Sequence, residues 1–284
     1  MKWFQCPQYL IILVFVIIAQ SSNAQNTSAL VFAPEKPKEL GIITDITWAS
    51  QYMSDGFKIA GNSPVWQLAL KSKIFSTGFS VMLWGALQID RQNSQFDEGD
   101  FFVMYGHDFF QERAFQLNIH GFYDYWIFPN TEPLRDEFGD IISDVKRRGN
   151  KLNLGISFPK LIPFAGSYII PSYNAYRWIY WELDRADRNG AGTRHELMLE
   201  FDRWLKLFIP GATYQYAGAT TSVSYHDGVF GVNPGVSHAI ASLRTGVYAL
   251  KSIFEMSLNH QWTFEPTVND GNELWSTMSF VKKF

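Results

Sequence analysis

The sequence has almost no cysteine. Its single cysteine, Cys6, lies among the first 24 residues, in a segment that we expect to be cleaved. A disulfide framework, a zinc site built on cysteine and a thiol nucleophile are therefore excluded from the remainder of the chain.

Long hydrophobic runs are absent after residue 24. The apolar run Tyr9–Ala19 is about a dozen residues long, whereas a spanning helix needs roughly 20. Lys2 precedes this run, and Ser22–Ala24 follows it with the small residues that signal peptidase requires. We predict that 1–24 is a cleaved signal peptide, with a membrane anchor as the alternative, and that 25–40 is a periplasmic lead-in.

The chain also lacks a strong charge of either sign. Lys and Arg number 24 against 27 Asp and Glu, which leaves a formal net charge of -3. The sequence has no stripe of basic residues of the kind that binds nucleic acid. Gly190 and Gly192 lie in a predicted loop and not ahead of a helix, so they do not form a phosphate-binding loop.

Aromatic residues, in contrast, are abundant. The chain has 10 Trp, 13 Tyr and 24 Phe, which together make up 17% of its residues. Rings are favoured where a surface meets both lipid and water. The mean hydropathy of -0.11 is too polar for a bundle of membrane helices but is typical of strands with one apolar and one polar face.

The side chains alternate with a period of two from Gly41 onward. Late in the chain, Phe254 and Met256 fall on one face while Glu255 and Ser257 fall on the other. This pattern predicts an all-β fold, a transmembrane antiparallel up-and-down β-barrel over 41–284. The predicted strands number twelve: 41–53, 64–75, 78–90, 99–111, 114–128, 149–159, 167–181, 194–206, 211–226, 238–249, 252–265 and 273–284.

The predicted connections alternate in length. The even-numbered ones are short, such as Ser76-Thr77 and Leu250-Lys251, and the odd-numbered ones are mostly longer, such as Ser54 to Ser63. Bacterial barrels have short periplasmic turns and long outer loops. An even number of strands with both chain ends in the periplasm accounts for this alternation.

One face of the predicted wall carries charged residues. Charges on the lipid face would cost about 2–4 kcal/mol each for Lys or Arg at the midplane, so we assign them to the lumen. Lys151 is among them, and the predicted pore-lining set is Asp45, Lys71, Lys73, Asp124, Arg177, Glu196, Glu200, Asp202, Arg244 and Glu255.

Two interpretations of these charges remain open. They form either a paired network that fills a narrow barrel or a selectivity lining for a solute. Their mixed signs predict no strong preference between anions and cations. The longest predicted loop, 129–148, is either an inward constriction or a solvated surface loop.

The last strand ends on an aromatic residue. Phe284 and Phe280 share the predicted lipid face, and they form the predicted signal for the barrel-assembly machinery. Lys282 stands where an apolar residue fits that pattern better.

Candidate sites for catalysis or metal binding are few. His260, with Ser276 on the neighbouring strand, is a candidate for lipid hydrolysis, but no orienting third residue is evident. Glu196, Glu200 and Asp202 share one face and would either bind Ca²⁺ or pair with Arg177. We favour pairing, and predict no enzymatic activity, no metal and no cofactor.

Residues 44–86 carry a family resemblance. The matching positions are Ser50, Tyr52, Gly56, Pro64, Gly78, Phe79, Trp84 and Gly85. In this stretch the chain resembles the opening of the TorF-type porins, a family of small twelve-stranded outer-membrane barrels. The resemblance implies passive diffusion of small solutes and brings no catalytic residues.

The sequence therefore predicts an outer-membrane channel, or porin, for small hydrophilic solutes. The alternatives are a non-conducting structural or surface-binding barrel and a barrel-type lipid-modifying enzyme. The expected partners are outer-membrane lipid, the barrel-assembly machinery and an unidentified small solute, with no nucleic acid.

Overall fold

The computed structural model describes residues 41–131, 134–135, 141–143, 148–182, 191–205 and 212–284. Twelve long strands are numbered here in chain order: β1 Ile42–Ala49, β2 Val65–Lys73, β3 Phe79–Gln88, β4 Glu98–Phe109, β5 Leu117–Ile127, β6 Arg148–Ser157, β7 Ser167–Glu182, β8 Gly192–Leu205, β9 Tyr214–Asp227, β10 Gly235–Ala249, β11 Ser252–Thr263 and β12 Glu273–Lys283. The predicted signal peptide and lead-in lie outside the described residues.

The twelve strands form one closed antiparallel sheet. Each pairs with its neighbours along the chain, and β1 pairs with β12 from Ile43 opposite Lys283 to Ala49 opposite Thr277. That pairing joins the two ends of the sheet and removes its edges. The predicted twelve-stranded up-and-down barrel is confirmed.

The two faces of the wall differ in polarity. On β2, Trp66, Leu68 and Leu70 are exposed on the outside, whereas Gln67 is buried inside. Such an apolar exterior is stable against lipid, and a closed barrel satisfies its backbone hydrogen bonds internally. The fold is therefore that of an outer-membrane barrel.

Helical structure is confined to two short 3₁₀ turns in the described parts of the chain, Arg91–Phe96 and Val229–Gly231. Within these parts, no helix combines the length and the hydropathy needed to cross a membrane.

The connections follow the predicted alternation in part, because 158–166 and 183–191 are equally long and 206–213 is longer than 228–234. Only Leu250 and Lys251 separate β10 from β11, and both have positive φ, 53° and 59°, as a type I′ turn requires. At the opposite end, the first outer loop (50–64) joins β1 to β2. Ile42, the first residue of β1, and Lys283, the last residue of β12, lie at the end with the short turns, which is the periplasmic end.

The first strand departs most from its predicted bounds. The prediction extends it to residue 53, but β1 ends at Ala49. Met53–Ser54 and Phe57–Lys58 instead pair with each other. We call this two-stranded element, residues 53–58, the hairpin.

The assignment of the outer face to lipid predicts how much a charged residue placed on that face should destabilise the protein. Leu197 is 65% exposed near the middle of β8, so Leu197→Arg should lower the free energy of unfolding by about 2–4 kcal/mol, the cost of Arg at the midplane. Urea titration of the protein in lipid vesicles measures this loss. Val236→Arg, at the outer end of β10, is the control and should cost about 0–1 kcal/mol; equal losses would contradict a lipid-facing centre.

Candidate functional site

The hairpin folds into the lumen of the barrel. Asp55 and Gly56 form its turn with φ of 52° and 91°, as expected for a two-residue type I′ turn with the Asp-Gly sequence. Ile59 N donates to Tyr52 O at 2.9 Å, so the two ends of the hairpin lie side by side. The hairpin is thus a compact element that starts and returns at the same wall.

The Asp55 carboxylate reaches the opposite wall. Its Oδ2 lies 3.0 Å from Lys151 Nζ on β6, and its Oδ1 lies 3.1 Å from Arg194 Nη2 on β8. Burial alone would raise the pKa of Asp55, but the charges of Lys151 and Arg194 hold it below its usual value. Asp55 therefore stays ionised, and the pair of contacts, which we call the latch, fixes the tip of the hairpin.

Gly56 packs tightly against Gln261, Asn269 and His238. Its carbonyl oxygen accepts hydrogen bonds from Gln261 Nε2 at 2.8 Å and Asn269 Nδ2 at 2.6 Å. A Cβ atom at this position would lie 2.6 Å from His238 Nδ1 and 2.7 Å from its Nε2. Glycine is therefore required here both for the positive φ and for space.

Two contacts of Lys58 hold the returning strand of the hairpin. Its backbone nitrogen donates to Asn269 Oδ1 at 2.9 Å, and its Nζ lies 2.5 Å from Glu273 Oε1. The hairpin therefore contacts the barrel wall near β12 as well as at β6 and β8.

Tyr52 anchors the base of the hairpin to the near wall. It is completely buried, its ring lies 6.2 Å from that of Trp84, and its hydroxyl donates to Glu98 Oε2. Burial, with the nearby carboxylates Glu98 and Asp100, raises the pKa of Tyr52 well above its usual value, so the hydroxyl keeps its proton. The hairpin is thus held on both sides and fills the outer half of the lumen.

Aromatic rings surround the two cations of the latch. The Arg194 guanidinium lies 4.1 Å from the Tyr176 ring centre, and Lys151 Nζ lies 5.4 Å from that of Trp178. Tyr176 in turn donates its hydroxyl to Glu196 Oε2 at 3.1 Å. Cation–π contacts of this kind stabilise charges that are removed from water.

A second cluster lines the periplasmic half of the lumen, which we call the vestibule. Arg244 contacts two carboxylates of β8: its Nε donates to Asp202 Oδ1 at 3.0 Å, and its Nη2 pairs with Glu200. Tyr216 donates to Glu255. The Asp202 side chain is 43% exposed, so solvent reaches this half of the lumen.

Most of the predicted pore-lining residues do lie on the inner face of the wall. Asp124 and Glu196 lie at the level of the hairpin, and Lys73 lies at the periplasmic mouth. The vestibule contains the others: Asp45, Lys71, Glu200, Asp202, Arg244 and Glu255. That these residues line a conducting pore stays a prediction.

The placement of Arg177 is a correction. On β7 the inward, buried positions are Asn174, Tyr176 and Trp178, so Arg177 points outward, and its Nη1 donates to Thr193 Oγ1 at 3.1 Å. The predicted pairing of Arg177 with the acids of β8 is therefore wrong. Aromatic residues occupy the inner face of β7 because they cover the cations of the latch.

Sequence reasoning missed the hairpin and its partners. The pore-lining set omits Asp55, Arg194, Glu98 and Asp100, all of which are buried in the lumen. A signal for the turn was present, because an Asp-Gly pair between two short extended segments is a strong hairpin pattern. Nothing in the sequence indicated that this hairpin would fold inward.

The three acids predicted either to bind Ca²⁺ or to pair with Arg177 do not lie together in the structure. Glu196 belongs to the level of the hairpin, and Arg244 contacts both Glu200 and Asp202. Across the described ranges, no group of three His, Cys, Asp or Glu residues converges closely enough to hold a metal ion.

The candidate residues for lipid hydrolysis lie on the outer face. His260 is opposite Leu274, and Ser276 is opposite Leu258, so the two are diagonal neighbours. The contact seen for His260 is with the Trp262 ring, 4.5 Å between ring centres. This geometry is that of an aromatic residue at the membrane interface.

The proposed assembly residues also face outward. Phe284 N donates to Ile42 O at 2.9 Å, and the Phe280 ring lies 4.9 Å from that of Phe254. Recognition of these residues by assembly machinery stays a prediction.

The two roles predicted for the 129–148 loop, an inward constriction or a solvated surface loop, depend mostly on residues that lie outside the described ranges. Within the loop, Leu134–Arg135 pairs with Ile141–Ser143. The element that fills the lumen in the described residues is the first outer loop.

No protein-family model matches the chain, and no curated protein is significantly similar to it. Three solved barrels are similar at low identity. The β domain of the Bordetella autotransporter BrkA is 10% identical with a TM-score of 0.47, covering 86% of this chain and 98% of that one. An outer-membrane channel from Pseudomonas putida F1 is 10% identical with a TM-score of 0.43, covering 88% and 100%. OprB from Pseudomonas putida is 11% identical with a TM-score of 0.33, covering 81% and 61%.

Proposed function

We propose that this protein is an outer-membrane channel through which small hydrophilic solutes diffuse passively, with the hairpin as its constriction. The apolar exterior fits lipid, and the charged inner face fits water and polar solutes. A twelve-stranded barrel is wider than the eight-stranded barrels that side chains fill and narrower than the open porins. A single inward loop is enough to close a lumen of this size.

The contrast between the two halves of the lumen carries the proposal. Solvent reaches Asp202 in the vestibule, whereas Asp55, Lys151 and Arg194 are buried at the level of the hairpin. The vestibule is partly packed, because Tyr216, Ile253 and Val281 form a buried cluster at its periplasmic end, but solvent still enters it at Asp202. A partly solvated half beneath one filled level fits a closed channel. A purely structural barrel gains nothing from a solvent-exposed carboxylate on the inner face of its wall.

The hairpin is built to move as a unit. Met53 pairs with Lys58 and Ser54 with Phe57, so its backbone hydrogen bonds close on themselves. It is held by side chains of the opposite wall, Lys151 and Arg194, by Gln261 of β11, and by Asn269 of the last outer loop (264–272). Outward movement would break side-chain contacts and leave the barrel sheet intact.

Shortening the hairpin tests the proposal. Because Ile59 N already bonds to Tyr52 O, a two-residue Asn-Gly turn in place of residues 53–58 should close the loop without strain. The shortened protein should show stable current steps in planar bilayers, where the wild type shows small or rare ones. Circular dichroism and heat-dependent gel mobility check that the barrel has formed. A folded, shortened barrel that carries no current would refute the channel function.

The filled level also favours a second candidate, a non-conducting structural or surface-binding barrel. The latch is fully buried and multiply bonded, as in a permanent plug. Under this alternative the wild type never opens, and liposomes containing it exclude sugars and amino acids at every voltage and salt concentration. Wild-type uptake of such solutes would exclude the alternative.

The family resemblance agrees with a role for the hairpin. Of the positions that resemble TorF-type porins, Tyr52 anchors the base of the hairpin and Gly56 forms its turn. Ser50 lies at the end of β1, where its Oγ accepts from Ser276 N at 3.0 Å. The resemblance therefore falls on residues that place the first outer loop, which supports a porin-like use of the barrel.

The protein is further proposed to be no enzyme and to have lipid and the barrel-assembly machinery as its partners. The outward position of His260 against Trp262 supports the first point. Retention of lipid hydrolysis by a His260→Ala variant would remove that histidine from consideration, and loss of hydrolysis would contradict the proposal.

A further inference from the structure

We infer that the solutes this barrel admits are small cations, ammonium-bearing compounds above all. The inference rests on the proposed channel function and names its substrate class. It replaces the sequence-based expectation of no strong ion preference, because the structure changes the set of charges that line the narrow part of the lumen.

Carboxylates outnumber cations at the level of the hairpin. The buried charged side chains that meet there are Asp55, Glu98, Asp100, Asp124 and Glu196, with Lys151 and Arg194. Asp55 contacts both cations, and Lys151 also lies 3.5 Å from Asp124. Outward movement of the hairpin carries Asp55 away, so in the open channel four acidic groups face two cations, which leaves two acids in excess. Since charge at the narrowest level decides which ions pass, this excess favours cations.

Asp100 shows the excess most directly. It is 4% exposed and lies beside a second acid, Glu98, with which its side chain interacts. Two acids side by side in a dry site are costly to ionise, and hydration or an approaching cation relieves that cost. Outward movement of the hairpin would bring both to Asp100.

A row of hydroxyl groups along β9 independently supports selectivity for cations. Thr220, Ser222 and Ser224 occupy successive inward positions of β9, are buried, and have hydroxyl oxygens without partners. Ser224 lies opposite Glu196, and Thr220 lies opposite Glu200. The hydroxyls thus run from the level of the hairpin to the vestibule. Their oxygen lone pairs accept N–H groups of an ammonium ion along the whole distance.

Anions find a poorer path. Without the hairpin, Lys151 still lies 3.5 Å from Asp124 and against the Trp178 ring, and Arg194 is still covered by the Tyr176 ring. Since no cluster able to hold a metal ion occurs within the described ranges, the cation is expected to pass through and not to be retained.

Reversal potentials test the inference. The shortened-hairpin protein, in planar bilayers under a KCl gradient, should give a reversal potential of the sign set by K⁺. In liposome swelling, lysine should enter faster than glutamate. Asp100→Asn in the same background should lower the K⁺ over Cl⁻ permeability ratio several-fold, whereas Asp270→Asn, exposed in the last outer loop, should leave it unchanged.

The outcomes of these experiments test cation selectivity separately from the proposed channel function. Absence of current overturns the channel itself. Current with no preference, or with Cl⁻ preferred, overturns the inference and leaves the channel standing. If cation preference survives both Asp100→Asn and Glu196→Gln, then the acidic groups at the level of the hairpin do not determine the selectivity. Glu196→Gln alone provides this test if the Asp100→Asn variant does not fold.

Discussion

A Gly56→Ala variant should hold the channel open. The new methyl group would overlap the His238 imidazole, with 2.6 Å to Nδ1, and an alanine at a φ of 91° is strained in addition. Overpacking of this kind costs about 1–3 kcal/mol. At about 1.4 kcal/mol per factor of ten, the open population should rise by roughly 5- to 140-fold. Single-channel recording of open probability measures it.

The same loop supplies a matched control. Gly61 also has a positive φ, 61°, but a Cβ there meets nothing within 4 Å. Gly61→Ala therefore carries the backbone strain without the clash and should leave the channel closed. A Gly56→Ala/His238→Ala double variant should regain closure, because the imidazole is gone. If both glycine variants open the channel equally, loop strain and not contact with the wall controls closure.

Asp55→Asn should release the latch. The amide keeps the shape of the side chain but removes the charge that Lys151 and Arg194 contact. Removing one partner of a buried ion pair costs about 3–5 kcal/mol; because Lys151 keeps Asp124 at 3.5 Å, we expect about 3 kcal/mol, at the lower end of that range. The open population should then rise on the order of 100-fold. Asp270→Asn, on the exposed surface, should behave as the wild type.

The latch also has a predictable dependence on pH. The pKa of Asp55 is lowered below its usual 3.8 in the folded protein. A lowered carboxyl pKa means that the stabilisation is complete above the unfolded value and is lost as pH falls through the folded one. The difference in open probability between wild type and Asp55→Asn should therefore persist at pH 7 and pH 5, and shrink only as the pH falls below 3.8. A difference that vanishes already near pH 6 would contradict the ion-paired state of Asp55.

The barrel could be predicted from the sequence because its wall obeys a simple rule. Lipid outside and water inside force a period of two, and residues such as Trp66, Gln67 and Leu68 report it directly. The rule fails where an inner face is itself apolar. Arg177 was misplaced because Tyr176 and Trp178 point inward to cover Arg194 and Lys151, which reverses the contrast on which the prediction depends.

The hairpin could not be predicted by the same reasoning. Asp-Gly at 55–56 specifies the turn, because few other residue pairs tolerate two positive φ values. Its direction depends on partners far along the chain, Lys151, Arg194 and Asn269, whose common position emerges only once the barrel closes. Local sequence therefore specified the shape of the element but not its place.

The reach of the hairpin has a consequence for the order of assembly. Gly56 O bonds to Asn269, 213 positions further along the chain, so the loop that follows the first strand must wait for the last outer loop before it can dock. Docking must therefore follow formation of β11 and the loop after it and belongs to a late step of folding. Contacts that form after the transition state slow unfolding without speeding folding. The latch should accordingly lengthen the lifetime of the finished barrel and have little influence on how fast it inserts.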